Sequence, residues 1–209
     1  MPLHRTLTEL FNARLAYKGN KLSVVPTMGA LHNGHLALIR KAVRESEVVW
    51  VTIFVNPIQF DSEHDLNKYP KNLDEDIKLI KAINLNIHVF APSVKEMYSD
   101  VVESKKYMLG GLDNLMEGAF RPGHFNGVIT IVSKLFKALK PNYAYFGEKD
   151  FQQLKIIRFW VNKNNIKTKI IGCPIEREEN GLAMSSRNER LKKETRNNAG
   201  FIYSLLLEC

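Results

Sequence analysis

The stretch KLSVVPTMGALHNGHLALIRKAV (residues 21–43) decides the fold. Its first part is an apolar run that ends near Thr27, which predicts a short buried strand. The part that follows carries Leu36, Ile39 and Val43 at helical spacing, which predicts an amphipathic helix. A strand that leads directly into a helix is half of a β–α–β unit, so this stretch predicts an α/β protein.

The rest of the chain repeats this alternation of strands and helices. Asn72, followed three residues later by Glu75, is typical of a helix N-cap, Pro141 is predicted to stop a helix, and Asp150 is a candidate cap. The further predicted strands are 48–55, 86–92, 142–146 and 168–174, and the further predicted helices are 72–83, 128–140, 151–164 and about 188–207. We therefore predict a doubly wound parallel sheet with helices on both faces, and a ligand site at the carboxyl ends of its strands.

Composition and charge exclude several classes of protein. The 209 residues suit one large domain, or one domain with an appendage, and no apolar run approaches the roughly 20 residues of a membrane span. The N-terminal residues lack the apolar core of a secretory signal, so we expect a cytoplasmic protein. Cys173 and Cys209 form no close pair, which argues against a disulfide framework or a zinc knuckle. The net charge of +8 allows a nucleic-acid partner, but the lysines are scattered, which favours anionic small molecules.

The sequence HNGH follows the first predicted strand and opens a helix. Such a helix start offers free N–H groups to an anion, and Gly29 and Gly34 allow a ligand to approach the backbone. His32 and His35 lie on one side of the turn and can donate hydrogen bonds to phosphate. Zinc ligation needs further ligands that no nearby cluster supplies, and a plain structural turn is the remaining alternative.

Two later loops also follow strands and carry groups suited to phosphate. In FGEKD, Lys149 is a mobile cation and Asp150 is a candidate acceptor for ribose hydroxyls. In GLAMSSRN, Ser185, Ser186 and Arg187 form a compact set of donors. Each loop alone is equally compatible with a solvated surface, but three such loops after three strands favour a nucleotide site.

Two glutamines complete the set of candidate residues. Gln59 follows the second predicted strand, and Gln153 lies one turn into the helix after Lys149. Amide groups can serve a polar or carboxylate substrate as donor and acceptor at once. Phe54, Ile58 and Phe60 would supply apolar walls, and a solvent-facing glutamine is the structural alternative for either position.

The motifs together resemble a known family. HxGH after a first strand and a serine-rich loop after the last are similar to the nucleotidylyl-transferase superfamily and to class I aminoacyl-tRNA synthetases. PTMGALHNGH, FVNPIQF, RPGHFNGV, FGEKDFQQL and GLAMSSRN, in this order over residues 24–190, resemble the pantothenate synthetase (pantoate–β-alanine ligase) family more narrowly. The resemblance implies a Rossmann-like fold and a two-step reaction. ATP and pantoate form pantoyl adenylate and pyrophosphate with Mg²⁺, and β-alanine then gives pantothenate and AMP.

The resemblance also assigns residues. It implies catalytic roles for His35, His32, Lys149, Ser185, Ser186 and Arg187. Gln59 and Gln153 are expected to bind pantoate, with Gln59 also near β-alanine, and no residue is assigned as a metal ligand. The ATP-binding residues implied are Met28, Gly29, Ala30, Leu31, His32, Asn33, Gly34, His35, Gly147, Glu148, Lys149, Asp150, Glu176, Met184, Ser185, Ser186 and Arg187. At Glu176 the family usually carries an apolar residue, so a backbone contact would survive there and a side-chain contact would not.

The family continues past the serine-rich loop into a small C-terminal domain that helps to cover the site. We therefore expect residues 1–188 to form the ATP- and pantoate-binding domain. Residues 189–209 are expected to form a linking helix, the start of a C-terminal lid domain that is largely missing. ATP binding is expected to survive and turnover to be impaired, because closure excludes water. The family also suggests a homodimer with small-molecule substrates, no membrane partner and no nucleic acid. A different HxGH adenylyltransferase is the alternative enzyme, and a basic nucleic-acid-binding module the alternative binder.

Overall fold

The computed structural model describes residues 1–99 and 101–208, and a parallel β-sheet lies at its centre. The strands of this sheet are β1 (Leu3–His4), β2 (Leu22–Thr27), β3 (Val48–Ile53), β4 (His88–Phe90), β5 (Tyr143–Gly147) and β6 (Lys169–Cys173). Their order is β1-β4-β3-β2-β5-β6, and every neighbouring pair is parallel. The predicted α/β class with a doubly wound parallel sheet is confirmed, whereas β1 was not predicted.

Helices connect the strands, as a parallel sheet requires. They are α1 (Leu7–Leu15), α2 (Asn33–Glu45), α3 (Glu63–Lys68), α4 (Leu73–Lys81), α5 (Val94–Tyr98), α6 (Met116–Phe120), α7 (His124–Leu139), α8 (Phe151–Lys163), α9 (Lys193–Asn198) and α10 (Phe201–Glu208). Short 3₁₀ turns lie at Pro57–Gln59, Leu112–Asn114 and Ser186–Arg190. The side chain of Asn72 caps α4 by accepting from the Glu75 N–H at 3.2 Å, as predicted. No helix of the described ranges is long and apolar enough to cross a membrane.

Both faces of the sheet are buried, which explains the continuous apolar runs of its central strands. Val24 and Trp50 point into a core formed with α1, α7 and α8. Their neighbours Val25 and Val51 point the other way, into a core formed with α2 and α4. Successive residues of a strand face opposite sides, so each run of apolar residues supplies both cores at once.

The candidate site lies at the point where the order of the strands reverses, between β2 and β5. From β2 the chain builds outward through β3 to β4, and the later half begins again on the opposite side of β2, at β5. The loops that leave β2 and β5 therefore diverge and open a crevice between them. The HNGH sequence follows β2 and the GEKD sequence begins at the last residue of β5, so the two predicted phosphate loops flank this crevice.

The prediction of one helix over about 188–207 is wrong. Asn188 is buried in a 3₁₀ turn, where its amide donates to Glu178 Oε1 at 2.8 Å and to the Ala183 carbonyl at 3.0 Å. Leu191 is extended, and α9 begins only after it. A second break lies at Gly200, where a Cβ atom would stand 1.9 Å from the Asn180 carbonyl oxygen. The boundary between residues 188 and 189 stays a prediction.

Candidate active site

Three cavities meet at the carboxyl edge of the sheet. All three are lined by His35, Asp150 and Gln153. The polar cavity adds Met28, His32, Gln59, Phe60, Tyr69, Glu117, Arg121, His124, Lys149, Ser185, Ser186 and Arg187. The apolar cavity adds Pro26, Thr27, Met28, Thr52, Phe54, Asn56, Gln59, Tyr69, Val128, Ile131, Val132, Leu135 and Phe146. The glycine-edged cavity adds Pro26, His32, Gly34, Leu38, Phe146, Gly147, Lys149, Pro174, Ile175, Glu176 and Met184.

The two histidines form a compact pair at the start of α2. His32 occupies the N-cap, and its Nδ1 accepts a hydrogen bond from the Gly34 N–H at 3.2 Å. The His32 N–H in turn donates to His35 Nδ1 at 3.3 Å, and the two ring centroids are 4.1 Å apart. A backbone N–H can only donate, so each Nδ1 is an acceptor and each neutral ring carries its proton on Nε2. A Cβ atom at Gly34 would lie 2.9 Å from the His32 ring, so a larger residue there would displace that ring.

The electrostatics of the pair favour neutral rings. Burial lowers the pKa of His35 to about 3, with smaller contributions from His32 and Lys149. Burial is also the main cause that lowers the pKa of His32. In this geometry His35 therefore offers a neutral N–H donor rather than an imidazolium.

A buried carboxylate holds the loop that precedes the histidines. Asp76, which is 2% exposed, accepts from the Ala30 N–H at 3.0 Å and from the Leu31 N–H at 2.7 Å. Ala30 has a φ of +49°, an unusual value for a residue other than glycine. A Cβ at Gly29, whose φ is +83°, would stand 2.9 Å from Asp76 Oδ2. These contacts fix the turn between β2 and α2, although burial raises the pKa of Asp76.

The loop after β5 brings a cation to the polar cavity. Lys149 Nζ lies 2.7 Å from Asp150 Oδ1, and both side chains line the polar cavity. Asp150 stands at the N-cap position of α8, but its side chain makes no capping hydrogen bond. The expected capping role of Asp150 is therefore wrong, because its carboxylate faces Lys149 instead.

The serine-rich loop closes the opposite side of the polar cavity. Ser186 Oγ donates to the Ala30 carbonyl at 3.0 Å, which joins this loop to the turn before the histidines. Ser185 Oγ accepts from the Arg187 N–H at 3.3 Å, and the Arg187 guanidinium lies 5.6 Å from the centroid of the Tyr69 ring. The loops after β2 and β6 are thereby held together at the cavity.

Gln59 is held at both its backbone and its side chain. Its carbonyl oxygen accepts from Arg121 Nη2 at 3.1 Å and lies 2.8 Å from His124 Nδ1. Its side-chain oxygen accepts from Asn56 Nδ2 at 3.0 Å, and its Nε2 lies 2.9 Å from Met28 Sδ. A Cβ at Gly127 would lie 2.4 Å from the Ile58 carbonyl, so α7 packs directly on the turn that carries Gln59.

The structure brings together most of the predicted residues. Those that line the three cavities are Met28, His32, Gly34, His35, Gln59, Gly147, Lys149, Asp150, Gln153, Glu176, Met184, Ser185, Ser186 and Arg187. Gly29, Ala30, Leu31, Asn33 and Glu148 do not line them. Gly29 to Leu31 instead form the turn held by Asp76, Asn33 is exposed on α2, and Glu148 is exposed beside Gly172. The Glu176 carbonyl accepts from the Met184 N–H at 2.9 Å, and its side chain is exposed.

Sequence reasoning missed several residues of the site. Arg121 and His124 lie in RPGHFNGV, a motif that was recognised without any role for its side chains. Tyr69 and Glu117 line the polar cavity but carry no local pattern that marks them. Asp76 is the third acidic residue in the first turn of α4, so its sequence context suggests only a favourable helix start.

A comparison with protein-family models matches residues 3–209 to the family described as pantoate-beta-alanine ligase. A pantothenate synthetase of Bacteroides fragilis is 56% identical over 185 residues, which cover 88% of this chain and 65% of that protein. One of Christiangramia forsetii is 52% identical over 188 residues, which cover 90% of this chain and 66% of that protein. The chain thus spans about two thirds of the length of these curated relatives.

Solved structures agree with this assignment. The pantothenate synthetase of Thermus thermophilus has a TM-score of 0.92 at 44% identity, over 99% of this chain and 74% of that one. A pantoate-beta-alanine ligase of Francisella tularensis, complexed with beta-gamma ATP and beta-alanine, has a TM-score of 0.92 at 42% identity, over 99% and 79%. A tyrosyl-tRNA synthetase of Archaeoglobus fulgidus shares the fold alone, with a TM-score of 0.52 at 14% identity over 86% of this chain and 62% of that one. The family model and these relatives show that the chain belongs to the pantoate-beta-alanine ligase family.

Proposed function

We propose that the protein condenses pantoate with β-alanine to pantothenate at the expense of ATP, through a pantoyl adenylate, with release of pyrophosphate and AMP. The observation that carries the proposal is the meeting of a polar and an apolar cavity at His35, Asp150 and Gln153. One side offers donors for phosphate and the other offers walls for a small branched acid. Membership of the family and the ligands of the Francisella tularensis relative support the same reaction.

ATP fits the polar and glycine-edged cavities. Gly34 and Gly147 leave room for a nucleoside to approach the backbone, and Met184 supplies an apolar contact. Lys149 and Arg187 are two of the cations that line the polar cavity, and we assign them to the triphosphate. Asp150, which borders all three cavities, is placed to accept from ribose hydroxyls.

Pantoate fits the apolar cavity. Phe54, Val132 and Leu135 form walls suited to the two methyl groups of the acid. Gln59 and Gln153 stand at the edge of these walls and can bind its hydroxyl and carboxylate groups. The carboxylate then points toward the junction where the α-phosphate of ATP arrives.

The proposed reaction depends mainly on the positioning of the two substrates and on the neutralisation of negative charge on the phosphates. A carboxylate oxygen of pantoate attacks the α-phosphorus, and the bond to pyrophosphate breaks. Negative charge grows on the phosphoryl oxygens and on the leaving group, and fixed donors aimed at such charge are each worth about 10²–10³ in rate. His35 Nε2–H, Lys149 and Arg187 are such donors. In the second step the β-alanine amine attacks the acyl carbon, loses a proton, and AMP leaves.

Mg²⁺ belongs in this proposal as part of the nucleotide substrate. The described residues contain no group of three or more His, Cys, Asp or Glu side chains arranged to hold a metal ion. A cage made of protein ligands therefore does not fit, whereas Mg²⁺ commonly keeps its waters and binds phosphate oxygens. We accordingly assign no protein ligand to it.

Isotope exchange between pyrophosphate and ATP tests the proposal. The protein, ATP and labelled pyrophosphate should give label in ATP only when pantoate is added, because the first step must run backward through the adenylate. Exchange that requires another acid, or that proceeds without any acid, would overturn the assignment of pantoate. Formation of pantothenate after addition of β-alanine tests the second step.

Other activities predict different results in the same assay. Another HxGH adenylyltransferase would transfer AMP to a nucleotide or phosphate acceptor, but it has no need of the two glutamines at an apolar cavity. A nucleic-acid-binding protein would bind DNA or RNA in a salt-dependent way without isotope exchange between pyrophosphate and ATP.

The family resemblance further leads us to propose a cytoplasmic homodimer, and light scattering at micromolar concentration would measure its mass.

A further inference from the structure

A chain of buried hydrogen bonds runs behind Gln59. Asn56 is 1% exposed, and its Nδ2 donates to the Gly127 carbonyl at 3.2 Å and to Gln59 Oε1 at 3.0 Å. The Tyr98 hydroxyl donates to Asn56 Oδ1 at 2.6 Å. A backbone carbonyl can only accept, so the Asn56 nitrogen must face Gly127 and its oxygen must face Tyr98.

This order of bonds also fixes the amide of Gln59. Because Gln59 Oε1 receives the Asn56 hydrogen, Gln59 Nε2 must point the other way, toward Met28 Sδ at 2.9 Å. Gln59 and Met28 both line the polar and apolar cavities. A thioether is a weak acceptor, so an oxygen of an acid substrate can replace it readily.

Tyr98 itself lies behind the site. It is the last residue of α5, is 6% exposed and lines none of the three cavities. Its ring lies near that of Phe54, with centroids 6.2 Å apart, so part of the apolar wall rests on it. Burial raises the pKa of Tyr98 further above its ordinary value, so its hydroxyl remains a donor.

We propose that Tyr98 is a positioning residue for the acid substrate: together with the Gly127 carbonyl, its hydroxyl holds the Asn56 amide in one orientation, and Asn56 in turn orients Gln59 so that Nε2–H faces the substrate. This inference rests on the proposed function, because it takes pantoate as the ligand of Gln59. Without the hydroxyl, the Asn56 oxygen loses its donor and only the Gly127 carbonyl still favours this orientation, so the two linked amides turn over together more often. Gln59 would then present its oxygen to an anionic substrate in part of the molecules.

The variant Tyr98→Phe tests the proposal because it keeps the ring and removes the hydroxyl. We expect the KM for pantoate to rise about tenfold, in line with the loss of one well-placed hydrogen bond, while the KM for ATP stays within twofold. Tyr145→Phe is the matched control. Tyr145 is also buried, and its hydroxyl bonds to Glu45 at 2.8 Å, at the far end of α2 from the histidines. A pantoate KM within twofold of wild type, or an equal rise in both KM values, would overturn the proposal.

A double-mutant cycle separates positioning from general destabilisation. In a Gln59→Ala background, Tyr98→Phe should add less than a twofold loss in kcat/KM for pantoate, because its effect passes through Gln59. A full tenfold further loss would mean that Tyr98 acts by another route. If Tyr98→Phe does not fold, Asn56→Ala breaks the same chain of hydrogen bonds without placing a charge at the apolar cavity. It should raise the KM for pantoate and leave the KM for ATP within twofold, and the opposite pattern would refute the proposed chain.

A measurement without turnover keeps the two proposals apart. Both Asn56 side-chain N–H groups donate in the wild type, so their exchange with solvent, followed by NMR, should be slow. Exchange should become roughly tenfold faster in Tyr98→Phe, as expected when a bond of this strength is lost. Unchanged exchange would sink the positioning role even if pantoate is the substrate. The other outcome is faster hydrogen exchange at Asn56 in a protein that shows no pantoate-dependent isotope exchange between pyrophosphate and ATP. It would refute pantoate as the substrate and leave the hydrogen-bond chain intact.

Discussion

Asp65, on α3, and Arg187, on the serine-rich loop, form an ion pair in which Asp65 Oδ2 accepts from Arg187 Nη2 at 2.7 Å. The other oxygen of Asp65 accepts from Arg190 Nη1 at 2.7 Å. The hydrogen bond from Arg187 is the main cause that lowers the pKa of Asp65. The guanidinium predicted to bind phosphate is thus already paired with a carboxylate, and in the proposed function the triphosphate would have to compete for it.

Asp65→Asn should release Arg187 for the nucleotide. The pair is partly exposed, and such pairs contribute at most about 1 kcal/mol, so we expect ATP to bind two- to fivefold more tightly by titration calorimetry. Glu63→Gln, which removes a charge from an exposed residue of the same helix, is the control and should change the affinity less. Weaker binding in Asp65→Asn would mean that Asp65 holds Arg187 in its binding position rather than competing for it.

His35→Gln should keep more activity than His35→Ala. The pKa of about 3 makes His35 a neutral donor at pH 7, and a glutamine amide can also donate one hydrogen bond. We expect a loss of about 10²–10³ in the rate of pyrophosphate exchange for alanine and roughly tenfold for glutamine. If His35 transferred a proton, both variants would lose activity alike, and the wild-type rate would fall as the pH rises through the pKa of that group.

Asp76→Asn should weaken both the fold and the nucleotide site. An amide can accept from only one of the two N–H groups and turns its own donors toward the other, which leaves a buried N–H unpaired. We expect a loss of about 1–3 kcal/mol in the free energy of unfolding, measured by urea titration, together with weaker ATP binding. Asp74→Asn, on the exposed side of the same first helical turn, should change neither by a comparable amount.

The protein should lose stability as the pH falls from about 6.5 toward 4. His88 is 5% exposed, lies 3.0 Å from a nitrogen of His4 and stacks on Trp50. Burial, and then the charges of His4 and the N-terminus, lower the pKa of His88 to about 4, and burial also lowers the pKa of His4. Between these pKa values the unfolded chain binds protons that the folded protein does not bind. The free energy of unfolding is therefore highest above about pH 6.5 and declines as the pH falls below it.

His88→Gln tests the origin of this pH dependence. The difference between urea midpoints at pH 7.5 and 5 should shrink, because one of the buried imidazoles no longer titrates. His64→Gln, at an exposed position on α3, should leave the difference as it is in the wild type. An undiminished difference in His88→Gln would place the acid sensitivity elsewhere in the fold.

The sequence allowed prediction of those features that depend on neighbouring residues. The strand, turn and helix around HNGH follow from apolar spacing over one short stretch, and the parallel sheet follows from its repetition. β1 is only two residues long and gains its place by pairing with β4, so no local pattern marks it. The helices α3, α5 and α6 are only five or six residues long and offer too few turns for a periodic signal.

The candidate site was predictable in its residues but not in its contacts. Lys149 and Arg187 were predicted as cations for phosphate, whereas the ion pairs that they form with Asp150 and Asp65 appear only in the structure. Arg187 and Asp65 are 122 positions apart, and no spacing rule joins them. Tyr98 likewise reaches Asn56 across 42 positions, through packing that only the folded core defines.

The adjacency of β2 and β5 has a consequence for how the protein acquires its site. Asn142, just before β5, bonds to the Leu22 N–H at the start of β2 across 120 positions of sequence. During synthesis of the chain, the turn that carries His32 and His35 emerges long before the loop that carries Lys149, although the two must lie side by side in the folded protein. Closing so large a loop is slow relative to local helix formation. Nucleotide affinity should therefore report the docking of the two halves of the sheet, which makes a bound ATP analogue a probe for the last steps of folding.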